Sequence, residues 1–468
     1  MSEQQSSHII ARLQERLGED SVKTDADALT EYGKDWTTAY RPDPLAVVLP
    51  RNIEQVVNLV QLANKLNFPL VPSGGRTGLS GGAVASNREV VVAFDRMNRI
   101  LEFDAVDRQV VCEPGVITEQ LQQFAEQQGL FYPVDFASAG SSQIGGNVAT
   151  NAGGIKVIRY GMTRQWVMGL KVVTGSGELL ELNRGLVKNA TGYDFRHLFI
   201  GSEGTLGLVV EVTLALTAVP RDPTVLLLAV NDMQSCMEVL KTFQGRLQLS
   251  AFEFFSEPAL QHVVSHKGLQ RPFETQSPFY ALIEFENDSE SRLDEAMELF
   301  EVCLEAGWVL DGTVSQSVGQ AETLWRLRED ISETISRFSP YKNDISVRVS
   351  KVPEFLSRVD ELVSARYPDF EIIWFGHIGD GNVHLNILKP EDLDLKTFQE
   401  QCGKVSREVF QLVKNYAGSV SAEHGVGLLK KAFLEASRDP LEIAYMKAVK
   451  KVFDPNGILN PGKVFDIQ

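Results

Sequence analysis

The chain has 468 residues, enough for two or three domains with sizeable cores. Its formal net charge of −17 argues against nucleic acid and anionic membrane surfaces as partners, because both repel an acidic protein. The four cysteines, Cys112, Cys236, Cys303 and Cys402, are widely spaced without a C-x-x-C pair, which argues against zinc knuckles and a disulfide framework.

The N-terminal stretch MSEQQSSHIIARLQERLGED reads as an amphipathic helix, not a signal peptide, and residues 1–40 as a polar helical segment. No run of 18 apolar residues occurs, so no transmembrane helix is expected, and the expected location is the cytoplasm. From Ala46 come a strand (AVVLP), a helix (IEQVVNLVQLANKLN), a strand (PLVPSGG), a glycine-rich loop and a strand (EVVVAF). Two β-rich stretches, 100–114 and 170–182, flank the helix ITEQLQQFAEQQG, and the run closes near Pro220. Arg221–Thr224 reads as a domain junction. Beyond it, strands VLLLAV, AFEFF and FYALIEFE alternate with helices, ETLWRLREDISETISRF reads as one helix, and EIIWFGHIGDGNVHLNIL reads as a β-hairpin. The fold class is α+β: a domain at 41–220, a second at 221–424 with an antiparallel sheet, and a C-terminal helical segment at 425–468.

The first chemical signal is VPSGGRTGLSGG, with Gly74, Gly75, Gly78, Gly81 and Gly82 close together. Without Cβ atoms, backbone N–H groups there can approach an anion closely. The loop lies between two strands and lacks G-x-G-x-x-G spacing and a P-loop lysine, which disfavours a Rossmann or P-loop site. A second polar, glycine-rich stretch runs from Tyr132 to Gly154, and a third, FIGSEGTLG, carries Gly201, Gly204 and Gly207 ahead of a strand. Three such surfaces suit a long ligand with a central pyrophosphate, such as FAD.

Three of the seven histidines fall in two short motifs. In FGHIGDGNVHLN, a four-residue GDGN turn pairs Ile378 with Val383 and His377 with His384, leaving the two imidazoles on one face about 5 Å apart at Cβ. Asn386 falls on the same face. In SAEHGVG, Glu423 can complete a three-ligand metal site with an open position, while His424 faces differently and can serve as a base. Zinc is the expected metal for a His/His/carboxylate set, with manganese and iron also compatible. In LWRLREDISETI, Arg328 and Ser332 are four apart and share a helical face suited to a carboxylate; the bland alternative pairs Arg328 with Glu329 or Asp330 on a solvated helix. Lys342 enters the following strand, and Arg348 is a further candidate cation.

Together PSGGRTGLSGG, SSQIGGNVATNAGG and GSEGTLG resemble the FAD-binding domain of the vanillyl-alcohol oxidase/p-cresol methylhydroxylase superfamily. The terminal NPGK, Asn460–Lys463, resembles the piece that returns to the flavin in its D-lactate- and glycolate-oxidising branch. The resemblance implies a two-subdomain FAD-binding domain of p-cresol methylhydroxylase type, with the C-terminal segment returning to it. FAD would meet Pro72, Ser73, Gly74, Gly75, Arg76, Thr77, Gly78, Leu79 and Ser80 in the first loop. It would meet Pro133, Asp135, Ser142, Gly145, Gly146, Thr150, Gly153 and Gly154 in the second stretch, and Val210 and Asn460 beyond. No histidine or cysteine stands in the loop where some relatives attach flavin covalently, so the FAD is expected to be non-covalent.

GHIGDGNVHLN and SAEHGVG closely match the D-2-hydroxyglutarate dehydrogenase group of that superfamily. The match implies His377, His384 and Glu423 as zinc ligands and His424 as catalytic base. It implies Arg328, Ser332 (a threonine in the group), Lys342, Asn386 and His424 as substrate contacts. The implied reaction takes a hydride from a small anionic D-2-hydroxy acid to flavin. Reoxidation would fall to an electron-transfer flavoprotein or a quinone-linked carrier, and a homodimer is a candidate assembly. D-lactate or D-malate oxidation within the same family stays open, as does a metallohydrolase or metal-binding protein without flavin.

Overall fold

The computed structural model describes residues 2–37 and 39–467; Met1 and Thr38 of the expected N-terminal helical segment lie outside the described residues. The chain forms two compact units. One comprises Met1–Gly153, Met162–Val219 and Glu423–Gln468; the other comprises Gly154–Gly161 and Pro220–Ala422. The second unit therefore includes a short piece, 154–161, from within the sequence range expected for the first domain.

The first unit is built on two larger sheets, with a further two-stranded pair of Leu130–Phe131 and Thr217–Ala218. In one, the buried strands Ala46–Val48 and Val90–Ala93 pair in parallel with Leu70–Ser73, which is buried except at Pro72, and Val22–Lys23 adds an antiparallel edge. Their runs of valine and alanine fit a parallel sheet covered on its faces. Helices Glu3–Leu17 and Ile53–Leu66 supply apolar stripes, Ile9, Leu13 and Leu17 from one and Val56, Leu59, Val60 and Ala63 from the other. Asn52 caps the second helix by accepting from Gln55 N–H, and Asn67 ends it in the left-handed region at φ 53°. The other sheet has five antiparallel strands in the order Ile100–Asp104, Gln109–Cys112, Gly207–Ala215, Val167–Thr174, Leu179–Leu182.

The C-terminal tail seals the open edge of the first sheet. Leu70 N–H donates to Ile458 C=O at 2.8 Å, and Asn460 N–H donates to Leu70 C=O at 2.7 Å. An unpaired edge would otherwise offer its N–H and C=O groups to another chain. Lys450, on helix Pro440–Phe453, locks this arrangement from beneath. Its ammonium is almost fully buried and donates to Thr205 C=O (2.7 Å), Leu459 C=O (2.9 Å) and Asp454 Oδ2 (2.7 Å), which matches its three protons. Burial depresses its pKa, and the Asp454 carboxylate opposes that shift.

The second unit is one seven-stranded antiparallel sheet in the order Val309–Val314, Pro223–Val230, Phe279–Glu286, Leu249–Ser256, Ile372–Gly376, Asn382–Ile387, Tyr341–Ser346. Helices Glu257–Lys267 and Val318–Glu329 cover one face through Leu260, Val263, Leu324, Trp325 and Leu327. The structure corrects one local reading and adds an element the sequence reading left unassigned. ETLWRLREDISETISRF forms two helices, Val318–Glu329 and Ile331–Ser336, which meet at Asp330, so Arg328 and Ser332 do not share one helix. The glycine-rich stretch contains a helix, Ile144–Thr150, unexpected because glycine is a poor helix former. Close packing explains it: a Cβ on Gly145 would stand 2.5 Å from Pro114 Cβ.

Replacing Lys450 by Met should cost about 3–5 kcal/mol, because Asp454 would be left buried without its cation. Urea denaturation measures this; a loss below about 1 kcal/mol would show that the network does not hold the tail.

Candidate functional site

In the first unit the three glycine-rich stretches meet. A Cβ on Gly75 would lie 2.2 Å from Ser141 C=O, and one on Gly204 would lie 2.4 Å from Pro72 Cγ. Only glycine permits these approaches. Glu203 N–H donates to Ala149 C=O at 2.8 Å, joining the third stretch to the second. The Asn460 side-chain amide donates to Gly82 C=O (2.9 Å) and Glu203 C=O (2.7 Å), bringing in the tail. The first loop is also held by Asp35, whose Oδ2 accepts Gly81 N–H at 2.8 Å; burial pushes this carboxyl up to about 6.

The resulting cradle fits an extended cofactor. Gly146, at the helix start, would turn a Cβ into open space. Ser73 Oγ, Gln143 Oε1 and Asn460 Oδ1 are buried polar atoms without a hydrogen-bond partner among the described residues, the condition a polar ligand relieves. Several expected cofactor contacts have their side chains engaged elsewhere. Arg76, at φ 61°, donates to Gly74 C=O and stacks 4.6 Å over the Tyr32 ring. Ser142 Oγ meets Thr118 Oγ1 at 2.7 Å, Thr150 Oγ1 donates to Gly146 C=O, Gln122 Nε2 reaches Asp135, and Val210 sits in the apolar core.

The segment after Glu423 and His424 belongs to this unit. Glu203 accepts Val426 N–H (2.7 Å) and Gly427 N–H (2.8 Å), and Ser80 Oγ donates to Gly425 C=O at 3.0 Å. Burial raises the Glu203 pKa, while the two N–H groups oppose the shift. The Glu423 and His424 side chains approach to 3.4 Å.

In the second unit, strand register brings together Lys342, His384 and Asn386 of the expected substrate and metal residues. The sequence reading opposed His377 to His384 across a four-residue turn. Instead Phe375 opposes His384, and the five residues 377–381 form the connection. Asn382 N–H closes it on His377 C=O at 3.2 Å, with Gly381 in the left-handed region. His377 therefore sits just past the strand, yet its ring centroid still lies 5.4 Å from that of His384. On the other side, Asp344 opposes His384 and Lys342 opposes Asn386, so these four side chains share one sheet face. Asp344 accepts from Asn382 Nδ2 at 2.9 Å and lies 3.9 Å from His384 Nδ1.

Lys342 Nζ donates to Ser332 Oγ at 3.1 Å. Solvent reaches the lysine, but protein packed around its ammonium desolvates it and lowers its pKa. Arg348 is exposed and lies past the strand. Arg328 is 5% exposed, so the solvated-helix alternative does not hold; Arg326 makes the surface pair with Asp330. Arg328 Nη2 instead stands 2.8 Å from Glu253 Oε2, and its guanidinium carbon lies 4.8 Å over the Phe375 ring. Its Nε and Nη2 make no aligned hydrogen bond among the described residues.

Two sequence models match. "FAD binding domain" covers residues 44–183, and "FAD linked oxidases, C-terminal domain" covers residues 219–464. The chain belongs to the FAD-linked oxidase family. It is thus an FAD-dependent enzyme, which sets aside a protein without flavin. Among its relatives are D-2-hydroxyglutarate dehydrogenases of Stutzerimonas stutzeri, 63% identical over 95% of this chain and 96% of that protein, and of Xanthomonas citri, 52% identical over 98% and 97%. A mitochondrial D-2-hydroxyglutarate dehydrogenase of Arabidopsis thaliana is 37% identical over 97% of this chain and 81% of that protein. Solved structures of 4-ethylphenol oxidase from Gulosibacter chungangensis (TM-score 0.78, 17% identity, 99% and 98% of the two chains) and p-cresol methylhydroxylase (TM-score 0.75, 15% identity, 100% and 98%) share the fold.

Sequence reasoning missed Glu203, Glu253 and Asp344. For Glu253 a signal was available, a lone glutamate in the apolar strand segment AFEFF. Gly146→Ala should fold at least as stably as wild type, since Ala favours a helix by about 1 kcal/mol, but should hold FAD at least about 10-fold more weakly. Reconstitution of apo-protein followed by flavin absorbance measures this; unchanged affinity would remove Gly146 from the cofactor site.

Proposed function

We propose that this enzyme oxidises D-2-hydroxyglutarate to 2-oxoglutarate. The observation that carries the reading is a buried guanidinium, Arg328, with N–H groups that lack aligned partners, in the unit that also holds the Lys342–Ser332 pair. Two cations suit two carboxylates, and a site built around buried donors discriminates against a substrate lacking the matching group. The relatives at 63% and 52% identity are D-2-hydroxyglutarate dehydrogenases, which supports the same substrate.

Arg328 and Lys342 are proposed to hold the substrate carboxylates, with Ser332 steadying the lysine and Asn386 orienting the substrate. His424 is the proposed base, taking the hydroxyl proton onto an imidazole nitrogen. His377, His384 and Glu423 are the proposed ligands of a divalent cation, with zinc favoured by the donor types. When bound, FAD supplies the hydride acceptor and the cation supplies Lewis acidity toward the substrate hydroxyl. The cofactor contacts proposed are the backbone groups of the glycine-rich stretches. An electron-transfer flavoprotein or a quinone-linked carrier is the proposed acceptor. The cytoplasm is the proposed compartment, supported by four buried free cysteines. No helix among the described residues is long and apolar enough to cross a membrane.

In steady-state assays with an artificial acceptor, D-2-hydroxyglutarate should give a higher kcat/KM than D-malate or D-lactate. Lys342→Met should lower that value about 10–100-fold, through loss of a charge-assisted contact. Preference for D-lactate, together with an indifferent Lys342→Met, would assign the enzyme to monocarboxylate oxidation.

A further inference from the structure

Glu253 has no role in the reaction as proposed above, yet its placement is costly. It lies on strand Leu249–Ser256, 1% exposed, among Phe252, Phe254 and Phe255. A buried carboxylate is tolerated only when it is paired and hydrogen-bonded. Its two partners arrive from different elements. Arg328, from helix Val318–Glu329, brings Nη2 to 2.8 Å of Oε2. His377, from the connection after Ile372–Gly376, brings Nδ1 to 2.9 Å of Oε1 and 2.8 Å of Oε2. The register Phe254↔Gly376 and Phe255↔Phe375 fixes that connection beside the glutamate.

We propose that Glu253 is a positioning residue that sets a metal ligand and a substrate cation by a single carboxylate. As acceptor of the His377 Nδ1 proton, it fixes the ring's tautomer and assigns Nε2 as the ligating atom. Carboxylates in this relation to ligating imidazoles orient the ring and raise its basicity. Toward Arg328 its contact is one-sided. The guanidinium is held by charge at one nitrogen and by the Phe375 face, while Nε keeps a proton without a partner among the described residues. A bidentate Arg–Glu pair would occupy both donors of that edge; this one anchors the arginine without doing so. The two halves of the site are thereby coupled: a change at Glu253 disturbs metal affinity and carboxylate recognition together. A purely structural ion pair would change stability and leave metal affinity alone.

This inference rests on the metal reading above, and the test separates the two. The FAD-loaded enzyme is stripped of metal and titrated with Zn2+ against a chromogenic chelator. Glu253→Gln should bind Zn2+ about 10–100-fold more weakly than wild type, with FAD content unchanged and a raised KM for D-2-hydroxyglutarate. Loss of the counter-ion to buried Arg328 can compromise folding. A second comparison therefore sets Arg328→Met beside Glu253→Gln/Arg328→Met, in which cation and carboxylate leave together. The double variant should again bind Zn2+ about 10–100-fold more weakly than its single-variant reference. Zn2+ affinity within about twofold of reference in either comparison overturns the positioning role, while wild-type binding leaves the metal reading standing. A wild-type enzyme that takes up no Zn2+ overturns the metal reading, and the inference with it.

Discussion

One buried carboxylate, Glu203, organises the first unit. Its own N–H and C=O groups engage Ala149 and Asn460, while its side chain accepts the N–H groups of Val426 and Gly427. Three chain segments remote in sequence thus converge on one residue. The glycines around it permit that convergence, since Gly204 seats against Pro72 and Gly75 against Ser141 at separations that no side chain tolerates. The turn carrying His424 is fixed by the same carboxylate, because its two accepted N–H groups begin two residues further on. Cofactor cradle and candidate base therefore depend on one set of hydrogen bonds.

The second unit solves a different problem, the burial of several charges on one sheet face. Glu253 and Arg328 neutralise one another, Asp344 is satisfied by Asn382, and Glu284 takes hydrogen bonds or charge from Trp325 and Lys156. A strand's period of two makes the assembly possible: Lys342 and Asp344 face the same way as the opposed Asn386 and His384. A register slip by one residue would send the set to the opposite face. The overall charge of −17 is no obstacle to an anionic substrate, because the local balance of paired and unpaired donors decides what this face can bind.

Much of this was legible in the sequence, for physical reasons. Apolar periodicity revealed most helices and strands, and three glycine-dense stretches announced close backbone approach before any partner was visible. What remained hidden depended on contacts across long sequence separations. The helix break at Asp330 carried no marker in the sequence, as both halves of the run have helix-compatible composition. The hairpin register turned on where the turn sits: Asn382 N–H closing on His377 C=O places the four intervening residues at 378–381, one position earlier than GDGN. Glu253 and Glu203 lie 124 and 223 residues from partners that give them meaning; Glu253 stood out as a lone glutamate in an apolar strand, but its partners could not be read from the sequence.

We propose that flavin reduction by a D-2-hydroxy dicarboxylate depends on a bound divalent cation. The most direct measurement is anaerobic stopped-flow reduction of the flavin by D-2-hydroxyglutarate, in enzyme stripped of metal with its FAD retained. Flavin bleaching should slow by at least about 100-fold after stripping and recover on adding Zn2+ or another divalent cation. Bleaching at an undiminished rate in the stripped enzyme would contradict the account.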